Sequence, residues 1–195
     1  TASDHVTKGN FVQDPVVRKR YEEGGDEYAD LDAAATAVYR RKVPVTWDDL
    51  EFIREHTDLP IVVKGVVNPP DAAEAAERGY DGVVVSNHGG RQVDGAIGAV
   101  EALPRVVEAV AEVDDDVPVL VDSGVRTAAD VFRALALGAE AAFIDRPFVY
   151  GLAIAGEQGV YEVIHNYLAE LDSIVGLSGR TTLDEVGRDA VVRPE

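Results

Sequence analysis

Val83-Val-Val-Ser-Asn-His-Gly-Gly-Arg-Gln92 runs from an apolar, β-branched stretch straight into a histidine and an arginine three residues apart, with two glycines between them. A buried strand that ends in a base, a cation and glycines matches the rim of an α/β active site. There, catalytic side chains sit at the carboxyl ends of parallel strands. The same grammar recurs on either side. Apolar runs at Pro60-Ile-Val-Val-Lys64, Gly82-Val-Val-Val-Ser86, Val117-Pro-Val-Leu-Val-Asp122 and Ala141-Ala-Phe-Ile-Asp145 alternate with helix-like stretches at 71–78, 99–113 and 127–137. Continuous apolar runs fit strands covered on both faces, and their alternation with helices predicts an α/β fold on a parallel sheet.

Thr127 and Asp130 stand at capping-box spacing. From 157 to 175, Val160, Ile164, Leu168, Leu171 and Val175 share one face and predict a helix covering a core, ended by Gly176. A shorter helix is predicted from Thr182, with Glu185 completing a capping box. Asp48 to Glu55 predicts a helix leading into the first strand, and Leu31, Ala35, Val38 and Tyr39 outline another. Residues 1–28 lack periodicity and predict loop. The organisation expected is a loop or partly helical segment over 1–45 and one α/β domain over 46–195.

Composition narrows the function. The chain has 195 residues, 36 acidic against 18 basic, for a net charge of -18. Such a charge repels phosphate backbones and anionic lipid surfaces, which argues against nucleic acid and membrane partners. Only four cations are lysines, Lys8, Lys19, Lys42 and Lys64. The acidic residues spread along the chain, a pattern suited to high salt, where screening weakens self-repulsion. Without cysteine there is neither a disulfide framework nor a thiolate site, and no metal-ligand set is read. No apolar run approaches a membrane span and no signal peptide opens the chain, so a cytoplasmic protein is expected. The chain contains no Met; either the initiator was removed ahead of Thr1 or the chain begins inside a longer protein.

All four apolar runs carry their polar residues at the same end: Lys64; Ser86, His88 and Arg91; Asp122, Ser123 and Arg126; Asp145 and Arg146. His88 is the base candidate, because histidine alone titrates near neutrality unperturbed. His5, His56 and His165 are assigned no role. Arg91 offers a planar fork that matches a carboxylate, or else pairs with Asp94. Lys64 closes an apolar run and needs an anion or electron-rich partner, unless it forms a salt bridge with Asp122. Asp122-Ser-Gly-Val-Arg126 ahead of a helix start has the make-up of a phosphate cradle, and Arg146 after the next strand adds to it.

Ser86-Asn-His-Gly-Gly-Arg-Gln92, Asp122-Ser-Gly-Val-Arg126 and Arg146-Pro147, with Lys64 ahead of them, resemble the FMN-dependent 2-hydroxy acid oxidizing enzymes: glycolate oxidase, lactate oxidase and lactate 2-monooxygenase. The resemblance runs from about Thr46 to Val192. Gln92-Val-Asp-Gly95 and Tyr150-Gly-Leu-Ala153 are most similar to the lactate 2-monooxygenase branch. The resemblance implies the C-terminal half of a TIM (β/α)8 barrel, about four βα units forming strands five to eight, with FMN at its carboxyl face. It implies His88 as general base, Arg91 on the substrate carboxylate, and Lys64 and Ser86 against the flavin. Asp122 would meet the ribityl chain, and Ser123, Gly124, Val125, Arg126, Asp145 and Arg146 would surround the phosphate. At Asp145 the family has Gly, and a carboxylate there repels phosphate unless it turns away. The family's first four strands have no counterpart before residue 46, so the partner expected is a second copy or a complementing N-terminal half. The reaction implied is oxidation of a small L-2-hydroxy acid to the 2-oxo acid. The alternatives are a non-catalytic half-barrel serving self-association or partner binding, and a phosphate-binding barrel without redox chemistry.

Overall fold

A computed structural model of the protein describes residues 15–23 and 45–192. The chain divides into two units, residues 1–58 and 59–195. In the first unit α1 (Pro15–Glu23) forms where the sequence predicts loop. Its support is local: a proline at the first position and a Lys19 to Glu23 pair of 3.6 Å one turn apart. α2 (Trp47–Arg54) starts on a reciprocal capping box between Thr46 and Asp49. The helix predicted over Leu31 to Tyr39 lies outside the described residues.

The second unit carries the repeated βα grammar. It comprises β1 (Val62–Val66), α3 (Pro69–Glu77), β2 (Gly82–Val85), α4 (Ala99–Ala111), β3 (Val119–Val121), α5 (Ala128–Ala136), β4 (Ala141–Ala142) and α6 (Arg146–Leu177). The four strands are parallel and lie in chain order. α3 packs on β1 and β2, α4 on β2 and β3, and α5 on β4. Val83, Val85, Val119 and Val121 are buried, as are Ala102, Leu103, Val106 and Val110 at helical spacing on α4. Fully burying a side chain such as Leu103 is worth about 2 kcal/mol.

Several predicted boundaries move. β1 begins two residues later than its apolar run, which puts Lys64 in mid-strand rather than at its end. There the register slips: Lys64 pairs with Val84, but Val66 pairs with Val85. Val84 and Val85 point to opposite faces, so the bulge at Gly65 sends Lys64 to one side of the sheet and buries Val66 on the other. β4 is two residues long instead of five, an edge strand with only β3 to hold it. The helix predicted from Thr182 is a single 3-10 turn, Leu183–Glu185, and the Glu185 carboxylate accepts from the Thr181 amide and hydroxyl.

α6 starts eleven residues before the predicted 157 and passes through a break at Ala155 and Gly156. The break folds the helix back on itself, and the segments touch where Gly151 and Gly159 meet backbone to backbone. A Cβ on Gly151 would stand 2.5 Å from the Gly159 carbonyl oxygen. The apolar stripe on its second segment does not cover a core as predicted: Val175 is buried, but Ile164 and Leu168 are exposed, Leu168 by 62%. Gly176 does not end the helix, which runs on to Leu177. Among the described residues no helix is long and apolar enough to cross a membrane.

Candidate active site

Beyond the carboxyl ends of the four strands lies a cavity of about 490 Å³. Its floor is apolar. Val62, Val84 and Leu120 alternate with the helix-facing valines and so project to the side of the sheet that Lys64 shares. Its rim is polar: Lys64 projects from within β1, and the loops after β2, β3 and β4 supply the other polar groups. Of the predicted site residues, Lys64, His88, Arg91, Asp122, Ser123, Gly124, Val125, Arg126, Asp145 and Arg146 line this one cavity. Ser86 is the exception: it is fully buried behind the lining and touches it through Lys64, whose ammonium donates to its hydroxyl at 2.8 Å.

The loop after β2 is held from two sides. Ser86 accepts from the His88 amide at 3.0 Å, and Asn87 accepts from the Gly90 amide at 3.0 Å while donating to the Ile97 carbonyl. This winds His88–Gly90 into a 3-10 turn. The Gly89 amide then donates to the Ser123 hydroxyl at 2.9 Å, tying the loop to the one after β3. His88 and Ser123, with φ of 55° and 74°, are the two non-glycine residues in the left-handed region among the described residues. That conformation costs roughly 1 kcal/mol or more and persists only where surrounding contacts enforce it. Both strained residues line the cavity and belong to the two loops that this hydrogen bond joins.

Lys64 takes the salt bridge that sequence left open. Its ammonium lies 2.8 Å from the Asp122 carboxylate, which also accepts from Ser123 Oγ at 2.7 Å. Partial burial disfavours the Asp122 charge, but hydrogen bonds from Lys64, Ser86 and Ser123 and the Lys64 charge outweigh it. Asp122 is held below the usual carboxylate range. The next turn is fixed by Asp130, which accepts from the amides of Arg126 and Thr127 at 3.0 and 3.1 Å. Burial opposes its charge as well; these amides, the Thr127 hydroxyl and the Arg133 charge prevail and lower its pKa. The Asp at the helix start, in place of the usual Glu, thus positions the turn that carries Arg126.

Arg91 does not pair with Asp94. Its Nε donates to its own loop at the His88 carbonyl, 3.2 Å, and its terminal nitrogen lies 3.6 Å from Asp145. Gly89, a lining residue that sequence reasoning missed, lets this corner assemble. A Cβ there would meet an Arg146 nitrogen at 3.2 Å and Arg91 Nε at 3.7 Å, so both guanidinium groups close on a residue without a side chain. Four cations, Lys64, Arg91, Arg126 and Arg146, face two carboxylates, Asp122 and Asp145, around the cavity. In a chain of net charge -18 this is a local reversal of sign. The lining thus carries more cations than carboxylates, a field that favours anions. The missed floor residues Val62, Val84 and Leu120 were readable from strand alternation once Lys64 was placed.

Comparison with known proteins gives the family and the fold. The family described as FMN-dependent dehydrogenase matches residues 2–193. The FMN-dependent alpha-hydroxy acid dehydrogenase qulF of Penicillium citrinum is 46% identical over 190 residues, which cover 95% of this chain and 46% of the relative. L-lactate oxidase of Lysinibacillus sphaericus is 41% identical over 177 residues, 91% of this chain and 44% of that one. The crystal structure of mandelate oxidase with benzoyl-formic acid superposes with a TM-score of 0.70 at 42% identity, over 74% of this chain and 42% of that chain. The chain spans about half the length of the curated relatives it matches.

Proposed function

The chain belongs to the FMN-dependent dehydrogenase family and folds as half of its (β/α)8 barrel; on that premise we propose that it supplies the base, the carboxylate-binding arginine and the phosphate seat for oxidation of a small L-2-hydroxy acid to the 2-oxo acid. The observation that carries this reading is the gathering of four cations and a histidine on one cavity of an otherwise acidic chain. The residues present fit FMN. The Ser123-Gly124 turn, Arg126 and Arg146 would hold the phosphate, Asp122 the ribityl chain, and Lys64 the ring, with the buried Ser86 bonded to Lys64 from behind the lining instead of meeting the ring itself. When bound, FMN supplies the two-electron acceptor. Arg91 pairs with the substrate carboxylate and orients the hydroxyl-bearing carbon, and His88 takes up a proton as that carbon becomes a carbonyl. The substrate proposed is lactate- or glycolate-sized, and the Gln92-Val-Asp-Gly95 run supports the lactate 2-monooxygenase-like branch as the finer reading.

A second (β/α)4 segment would complete the barrel. Among the described residues β1 and β4 have no outer strand neighbour, and Val62 and Phe143 are exposed beside the cavity. The same exposed surface favours a second reading, a non-catalytic half-barrel that self-associates. Anaerobic addition of lactate or glycolate to the FMN-loaded protein, with the complementing half present, separates the two. Bleaching of the flavin absorbance that His88→Asn abolishes is expected for the enzyme. A stable oligomer of the chain alone that takes up no flavin would establish the second.

A further inference from the structure

Asp145 occupies an unusual place for an acidic residue at a helix start. It is the N-cap of α6, and its carbonyl accepts the Phe148 and Val149 amides, but its carboxylate makes no capping bond. An N-cap aspartate ordinarily turns its carboxylate onto the amides of the first turn, where the helix dipole favours it. Here the carboxylate reaches Arg91 instead, across the loop after β3, at 3.6 Å. Two observations decide what that contact does. Arg91 is already anchored by its Nε bond to the His88 carbonyl, so it does not need Asp145 for its position. The contact is also loose: both side chains are more than half exposed, Arg91 by 54% and Asp145 by 64%, and the separation exceeds hydrogen-bond length. A carboxylate held there shares the guanidinium that an incoming carboxylate would meet.

We propose that Asp145 is an internal carboxylate that competes with the anionic ligand of Arg91 and sets its affinity. The inference rests on the reading of Arg91 as the carboxylate-binding residue given above and adds the group that opposes it. Neither Arg126 nor Arg146 has an ion pair with a carboxylate among the described residues, so Asp145 acts on the substrate end of the cavity first. An exposed ion pair of this kind is worth up to about 1 kcal/mol, which corresponds to about a fivefold change in binding. Because both groups are solvated, the effect is screened: the Debye length falls from about 10 Å at 0.1 M salt to about 3 Å at 1 M.

Calorimetric titration of the full chain with oxalate, a small dicarboxylate, tests the proposal without flavin. Asp145→Asn is expected to bind oxalate about fivefold tighter than the parent at low salt, with the ratio falling toward one at 1 M salt. Asp145→Ser should behave alike, and the gain should vanish in an Arg91→Gln background. Equal or weaker binding by both Asp145 variants, a gain that survives Arg91→Gln, or no oxalate binding by any of them would overturn it. A parallel FMN titration keeps the two readings apart. Oxalate gain without flavin uptake sinks the proposed function alone, and flavin uptake without oxalate gain sinks this inference alone.

Discussion

Replacing Lys64 by methionine removes the one cation that the Asp122 carboxylate holds directly, while keeping most of the side-chain volume. The ammonium is 48% exposed and the carboxylate 20%, so the pair lies between two limits. Exposed ion pairs contribute about 0.2–1 kcal/mol, whereas stripping one partner from a fully buried pair costs about 3–5 kcal/mol. The buried Ser86 hydroxyl is not orphaned by the change, since it still accepts from the His88 amide, and Asp122 keeps Ser123 as a donor. The expected loss is therefore about 2 kcal/mol, nearer the lower limit than the upper. In a double-mutant cycle with Asp122→Asn the coupling should be about 1 kcal/mol at pH 7. Urea unfolding should be followed by far-ultraviolet circular dichroism, because the lone tryptophan, Trp47, lies in the other unit of the chain. The pH dependence has a fixed sign. The Asp122 pKa is lowered on folding, so its stabilisation is complete above the ordinary carboxylate value near 4 and disappears as pH falls through the lower native value. Coupling within about 0.3 kcal/mol of zero at pH 7, or coupling that does not decline on acidification, would refute the reasoning.

Other outcomes follow from the same geometry. Gly151→Ala places a methyl 2.5 Å from the Gly159 carbonyl oxygen in the folded-back α6. It should cost about 1–3 kcal/mol, read as a drop in melting temperature; an unchanged melt would mean that the two segments separate freely. Asp130→Ala removes the acceptor for the Arg126 and Thr127 amides and should cost about 1 kcal/mol at neutral pH. Since the Asp130 pKa is lowered, the difference from the parent should fade as pH drops below about 4. Finally, raising KCl from 0.1 to 1 M should raise the melting temperature by screening a net charge of -18. A flat or falling response would show that self-repulsion is not a significant term.

Much of the fold was legible because the strands are apolar on both faces. Val83, Val84 and Val85 are all buried, so β2 reads as an unbroken run. The errors fall where tertiary partners decide. β4 shortens because it has one neighbour instead of two, and β1 runs past its predicted end at Lys64 because a bulge at Gly65 lets Val66 pair with Val85. The break in α6 at Ala155 and Gly156 hid the first segment of that helix. The candidate site was readable as a set because a parallel sheet sends every strand's carboxyl end to one rim. Its internal pairing was not. Asp94 is Arg91's near neighbour in sequence, while Asp145 follows β4, two strands away in the sheet, and no local signal connects them. Nor does the sequence reveal that His88 and Ser123 adopt left-handed backbone, since that conformation comes from the hydrogen bond joining their loops.

The central claim is that this cavity recognises a phosphate-bearing flavin. Equilibrium titration of the chain with FMN, set against riboflavin as the same ring system without the phosphate, tests it most directly. Retention of FMN with a shifted flavin spectrum, and markedly weaker retention of riboflavin, is the predicted result. Equal retention of both, or of neither, would contradict the assignment of Arg126, Arg146 and the Ser123-Gly124 turn as the phosphate seat.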